Sequence, residues 1–128
     1  MPAPRRSHAA LSAMQIALVT LGLFAIPVAA QAHAILESST PALGGSIAAG
    51  PATIDLRYNS RIDQHRSLFT LTGPDGKTVT LTVAPGTPVD QLRAKVTLVP
   101  GAYVAHWLVL AVDGHITRGD VPFTATAK

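Results

Sequence analysis

The chain has 128 residues, no cysteine and a formal net charge of +3 at pH 7. The absence of cysteine excludes a disulfide framework and also excludes a thiolate as a metal ligand or nucleophile. The weak positive charge, without clustered basic residues, argues against nucleic-acid binding.

The first 32 residues have the features of a secretory signal peptide. A short basic leader with Arg5 and Arg6 precedes an apolar run, and the run ends at the small-residue pattern Ala30-Gln31-Ala32, which is typical of a signal-peptidase site. A membrane anchor is the alternative, but the strictly apolar stretch is shorter than the roughly 20 residues that a spanning helix needs. We therefore predict cleavage after Ala32, export by the general secretion route, and one mature domain of residues 33–128.

The mature segment has the pattern of an all-β domain. Short runs rich in Val, Ile, Leu and Thr are separated by Gly and Pro at close intervals. The predicted strands are Ala34–Ser38, Thr53–Tyr58, Leu68–Thr72, Thr78–Val83, Val89–Leu98, Ala102–Ala111 and Ile116–Ala125. About seven short strands in a domain of this size favour a single immunoglobulin-like, Greek-key β-sandwich.

Turn motifs separate these predicted strands. Gly73-Pro74-Asp75-Gly76 predicts a hairpin, and Pro100-Gly101 predicts a second one. In the run 102–111, every second residue is apolar or aromatic, so Trp107 is expected in the core.

Cleavage after Ala32 would make His33 the first residue of the mature chain. A terminal histidine is a ready chelator, because its α-amine and its Nδ1 can close one ring on a metal ion. Asp113-Gly114-His115 follows the long predicted strand, and on its own this motif is more typical of an ordinary tight turn. Together, His33, Asp113 and His115 form a candidate metal site with one amine nitrogen, two imidazole nitrogens and a carboxylate oxygen.

This set of donor atoms favours divalent copper. Nitrogen-rich tetragonal sites suit Cu(II), whereas Cu(I) prefers sulfur, and both methionines, Met1 and Met14, lie in the signal segment. Zinc can use the same atoms, but it favours tetrahedral geometry and often thiolate. We expect one Cu(II) per chain. Its affinity should fall as the pH drops through neutrality towards 5, because the amine and the imidazoles must lose protons.

The remaining histidines and acidic residues of the mature segment are expected to lie outside this site. His106 should face solvent from a strand, and His65 lies in a polar connector. We expect a monomer, and the alternative is a dimer in which His65 or His106 joins two chains through a metal ion. Asp63, Asp75 and Asp120 lie near predicted turns, and no pair of carboxylates is placed for general acid–base catalysis.

Two terminal segments of the predicted mature chain carry a specific pattern, namely His33–Gly44 at the start and Tyr103–Trp107, Asp113-Gly114-His115, Gly119 and Phe123 at the end. In these segments the chain resembles the CopC family of periplasmic copper-binding, or copper resistance, proteins. The resemblance implies a β-sandwich that binds one Cu(II) through the amine and imidazole of His33, with His115 and Asp113 completing the site. It also implies a role in copper carriage, homeostasis or resistance in the periplasm, often alongside a membrane partner of the CopD type.

One departure from the family pattern concerns the surroundings of the metal. Ser60 stands where members commonly have an acidic residue that steadies the ligands. Support of this kind is often worth about 10–100-fold in affinity, so the serine puts the tightness of copper binding in question.

Two other functions compete with copper carriage. Lytic polysaccharide monooxygenases also begin with a histidine that binds copper through its amine, but they are much longer and carry aromatic surface residues, whereas Tyr103 and Trp107 are expected inside this domain. A metal-independent secreted interaction module is the second alternative, and it predicts that replacing His33 or His115 affects nothing but the fold. We therefore expect a copper-binding protein and not an enzyme.

Overall fold

The computed structural model describes residues 33–128, so the predicted signal segment, residues 1–32, lies outside the described residues. The described part contains eight strands: β1 Leu36–Thr40, β2 Ser46–Ala48, β3 Gly50–Tyr58, β4 Leu68–Thr72, β5 Thr78–Thr80, β6 Gln91–Leu98, β7 Gly101–Leu110 and β8 Ile116–Thr126. In residues 33–128 there is no helix with the length and hydropathy needed to cross a membrane. The predicted all-β class is confirmed.

The strands form two sheets of a β-sandwich. The smaller sheet has the order β1-β3-β6, with antiparallel pairs throughout. The larger sheet has the order β2-β8-β7-β4-β5, in which only the β2–β8 pair is parallel. The β7–β8 ladder pairs ten residues of each strand, from Gly101 opposite Ala125 to Leu110 opposite Ile116. The loop that joins these two strands therefore leaves the sheet at the Leu110 end.

The core is built from residues that alternate along the strands of both sheets. Ile54, Leu56 and Tyr58 of β3 are buried, and the expected burial of Trp107 is confirmed at 8% exposure. The rings of Tyr58 and Trp107 meet edge to face, with their centroids 5.2 Å apart. Gly119 lies opposite Trp107, and a Cβ at this glycine would lie 2.7 Å from Cζ2 of the indole. The missing side chain of Gly119 thus makes room for the indole.

The predicted hairpin at Pro100-Gly101 is wrong, because β6 and β7 belong to different sheets. The chain passes from one sheet to the other at this point, and Gly101 adopts a φ of 144°, which favours glycine. The hydroxyl of Tyr103 donates to the carbonyl of Val99 (3.1 Å) and accepts from its N–H (3.0 Å). This arrangement is a tyrosine corner, which immunoglobulin-like sandwiches use where the chain crosses between sheets.

Other strand boundaries also differ from the predictions. The hairpin at 73–76 is confirmed, but β5 ends at Thr80, well before the predicted Val83. Beyond β5 the chain crosses to the other sheet, where the N–H of Ala84 donates to the carbonyl of Arg93 in β6 (2.7 Å). The first strand begins at Leu36 rather than at Ala34, and β2 was not predicted at all. A segment of three residues is too short for an alternating pattern to be recognised.

We expect Tyr103→Phe to lower the free energy of unfolding by about 1 kcal/mol for each of the two hydrogen bonds that the hydroxyl makes. Urea denaturation followed by the fluorescence of Trp107 measures this change. Tyr58→Phe is the matched control, because the buried hydroxyl of Tyr58 has no hydrogen-bond partner within residues 33–128. Equal losses in the two variants would contradict the role given to the tyrosine corner.

Candidate metal centre

An extended arm, residues 33–35, carries His33 to the end of the sandwich where β7 joins β8. The N–H of Ile35 donates to Oδ1 of Asn59 (2.8 Å), and the N–H of Asn59 donates to the carbonyl of Ile35 (3.0 Å). The hydroxyl of Thr117 in β8 donates to the carbonyl of Ala34 (2.6 Å), and Ala34 is fully buried. The backbone next to His33 is therefore held by residues from both sheets.

The loop between β7 and β8 carries the other two predicted ligands. It is closed by a hydrogen bond from the N–H of Ala111 to the carbonyl of His115 (2.9 Å) and by one from the N–H of Gly114 to the carbonyl of Ala111 (3.0 Å). Gly114 has a φ of 87°, a left-handed conformation that a residue with a Cβ rarely adopts. This turn leaves Asp113 and His115 on the same side of the loop.

The three predicted ligands lie together in the structure. The imidazole rings of His33 and His115 are nearly perpendicular, and their centroids are 4.3 Å apart. One potential ligand atom from each of His33, Asp113 and His115 lies within 4.8 Å of the other two. The arrangement joins the first residue of the predicted mature chain to a loop more than 75 positions later in the sequence.

Asp113 orients His115 through both of its carboxylate oxygens. Oδ1 accepts the backbone N–H of His115 (3.0 Å), and Oδ2 lies 2.8 Å from Nδ1 of the same residue. The hydrogen bond from the backbone of His115 lowers the pKa of Asp113, and the side chain of His115 and the charge of His33 lower it further. An ionised carboxylate can only accept, so Nδ1 donates this hydrogen bond in the metal-free chain, and a metal ion held by both residues would replace it.

The site is open to solvent. The side chain of His115 is 63% exposed, and His33 is half-buried. Ser60, which occupies the position of the expected acidic residue, follows Asn59 directly, and its buried Oγ has no hydrogen-bond partner within the described residues. Among residues 33–128, Ser60 therefore gives the ligands no hydrogen-bond support.

The other two histidines of the described region lie outside this cluster. His106 faces outward from the larger sheet, where its Nδ1 lies 2.6 Å from Oδ1 of Asp120 and its Nε2 lies 3.1 Å from Oγ1 of Thr72. Asp120 is exposed as expected, but its predicted position near a turn is wrong, since it lies within β8. His65 is exposed in the connector before β4, and its N–H donates to Oδ1 of Asp63.

Sequence reasoning did not identify Asn59 or Thr117 as part of the site. A polar residue at the end of a strand and a threonine within a strand are both common, so neither position carries a signal of its own. Their contacts with the arm depend on the tertiary fold, which brings together residues 24 and 83 positions apart.

Comparison with known proteins identifies the family. Residues 36–126 match the family model of the CopC domain. Protein YobA of Escherichia coli K12 is 30% identical over 115 residues, which cover 87% of this chain and 93% of that protein.

Two solved structures agree with this match. CopC from Methylosinus trichosporium OB3b gives a TM-score of 0.65 at 26% identity, covering 74% of this chain and 95% of that one. PcoC, a methionine-rich copper resistance protein from Escherichia coli, gives a TM-score of 0.57 at 25% identity, covering 76% and 100%. The chain thus belongs to the CopC family, which consists of copper-binding carriers rather than enzymes.

Proposed function

We propose that this protein is a periplasmic copper carrier that binds one Cu(II) per chain. The ligands are the α-amine and imidazole of His33, the imidazole of His115 and the carboxylate of Asp113. The observation that carries the proposal is the convergence of these three residues, with one potential ligand atom from each within 4.8 Å of the others. Membership of a copper-binding family supports copper as the cargo.

The choice of Cu(II) rests on the chemistry of the available donors. Cysteine is absent, and the two methionines, Met1 and Met14, precede the predicted cleavage site, so the mature chain offers no sulfur to Cu(I). PcoC, by contrast, is described as methionine-rich. Nitrogen donors with one carboxylate suit the tetragonal geometry of Cu(II), the divalent ion that heads the Irving–Williams order.

The exposure of the site suits a protein that must release its metal. The proposed ligands come from a terminal arm and a loop at the surface, and the side chain of His115 is 63% exposed. A partner can therefore approach the ion directly. The proposal includes a monomeric carrier and a membrane protein of the CopD type as the partner in copper transfer.

We expect His115→Ala to weaken Cu(II) binding by more than about 100-fold, because even groups that only support a ligand are often worth 10–100-fold. The protein is produced by export with its own signal, and mass spectrometry identifies its first residue. Cu(II) is then added stepwise, and binding is followed by the fluorescence of Trp107, the single tryptophan of the chain. His106→Ala is the matched control and should bind one Cu(II) like the wild type. Wild-type affinity in His115→Ala would refute the proposed ligand set.

We expect a chain that keeps one methionine before His33 to lose most of its affinity for Cu(II). The α-amine would then belong to the added residue. The amine and Nδ1 of one histidine could no longer close a single chelate ring on the metal. The comparison is a titration of this chain against one that begins at His33, both verified by mass. Equal affinities would show that the amine is not a ligand.

We expect the affinity for Cu(II) to fall as the pH decreases from 8 to 5. An α-amine has an ordinary pKa of about 7.7–8.0 and an imidazole one of about 6.5, so protons compete with the metal throughout this range. The pKa of Asp113 is lowered, so its carboxylate stays ionised and adds nothing to the loss. Titrations at several pH values test this, and a constant affinity would contradict an amine–imidazole site.

A further inference from the structure

The arm that carries His33 faces a physical problem. The first residues of a domain are usually poorly ordered unless other groups hold them. The proposed site takes an amine and an imidazole from the first residue of the mature chain, so disorder there would separate two donors from His115. Two side chains, Asn59 and Thr117, act against this disorder.

Asn59 extends the β1–β3 ladder towards His33. The ladder ends with Leu36 opposite Tyr58, and Asn59 is the next residue after Tyr58. Its side-chain Oδ1 accepts the N–H of Ile35 (2.8 Å), while its own N–H donates to the carbonyl of Ile35 (3.0 Å). Both backbone polar groups of Ile35 are thereby satisfied by one residue, and the arm follows the direction of β1.

Thr117 links the arm to the strand that follows His115. Its hydroxyl donates to the carbonyl of Ala34 in a short hydrogen bond of 2.6 Å. Thr117 lies two residues after His115, near the start of β8. The residue after His33 is thus tied to β8 close to His115, where the two imidazole rings are 4.3 Å apart.

We infer that Asn59 and Thr117 are positioning residues of the copper site, which hold the terminal histidine at the correct distance from His115. The inference rests on the proposed function. Neither side chain binds the metal. Each orders the arm before copper arrives, so that the free energy of copper binding does not include the entropic cost of ordering the arm.

The test compares variants that differ in one hydrogen bond. Thr117→Val and Asn59→Ala each remove one side-chain hydrogen bond to the arm, and each should weaken Cu(II) binding by about 5–30-fold, as expected when the backbone partner of that bond is left unsatisfied. Thr117→Ser and Asn59→Asp keep an oxygen at the same position and should retain most of the affinity. All variants are prepared so that the chain begins at His33.

Thr72→Val is the matched control. Oγ1 of Thr72 also lies within hydrogen-bond distance of two partners, His106 (3.1 Å) and Thr78 (2.7 Å), but both are outside the metal site. This variant should bind Cu(II) like the wild type. Thermal melting of every variant without metal separates an effect on the site from an effect on the fold.

Two further measurements distinguish a positioning role from a general effect on stability. The electron paramagnetic resonance spectrum of bound Cu(II) should change in Thr117→Val and return to the wild-type form in Thr117→Ser. Without copper, an aminopeptidase should remove His33 faster from Thr117→Val than from Thr72→Val.

Wild-type affinity and spectrum in both Thr117→Val and Asn59→Ala would overturn the inference and leave the proposed function standing. The inference would also be overturned if the loss of Cu(II) affinity were proportional to the drop in melting temperature in all variants, including Thr72→Val. If the wild-type chain beginning at His33 does not bind Cu(II), the proposed function itself fails, and this inference fails with it.

Discussion

The ladder between β7 and β8 governs both the packing of the core and the position of the candidate metal site. Its ten antiparallel pairs fix which residues of both strands face the core, and they place Gly119 opposite Trp107 so that the indole can pack against Tyr58. A shift of the register by one residue would turn every side chain of a strand to the other face of the sheet. The same register determines where the loop with Asp113 and His115 leaves the sheet, so core packing and the position of the site have one origin.

The fold could be predicted from the sequence where a local pattern determines the structure. Alternation around Trp107 identified a buried face correctly, because the side-chain period of a strand is two. The connection at Pro100-Gly101 could not be predicted in this way. A Pro-Gly turn has the same sequence whether the next strand joins the same sheet or the opposite one, and here the chain crosses to the opposite sheet, with the hydroxyl of Tyr103 bonded to Val99 at the crossing.

The candidate site shows the same division between local and long-range information. The three residues that lie together there were predicted from their types, because a histidine directly after a predicted cleavage site and an Asp-Gly-His turn together indicate metal binding. The residues that hold the arm were not, since Asn59 and Thr117 acquire their role only when both sheets have formed around residues 34 and 35. Sequence motifs thus indicate which atoms are present, whereas the fold determines how well those atoms are ordered before a ligand arrives.

The proposed ligand set also links metal binding to export. Asp113 and His115 are joined by hydrogen bonds within their own turn, so this half of the site exists in any chain that folds. The other half needs a free amine on His33, and on the predicted processing that amine appears only when the bond after Ala32 is cut. The precursor would therefore offer copper an incomplete set of donors, while the processed chain offers the complete one. Removal of the signal segment would thus confine high-affinity Cu(II) binding to protein that has already been exported.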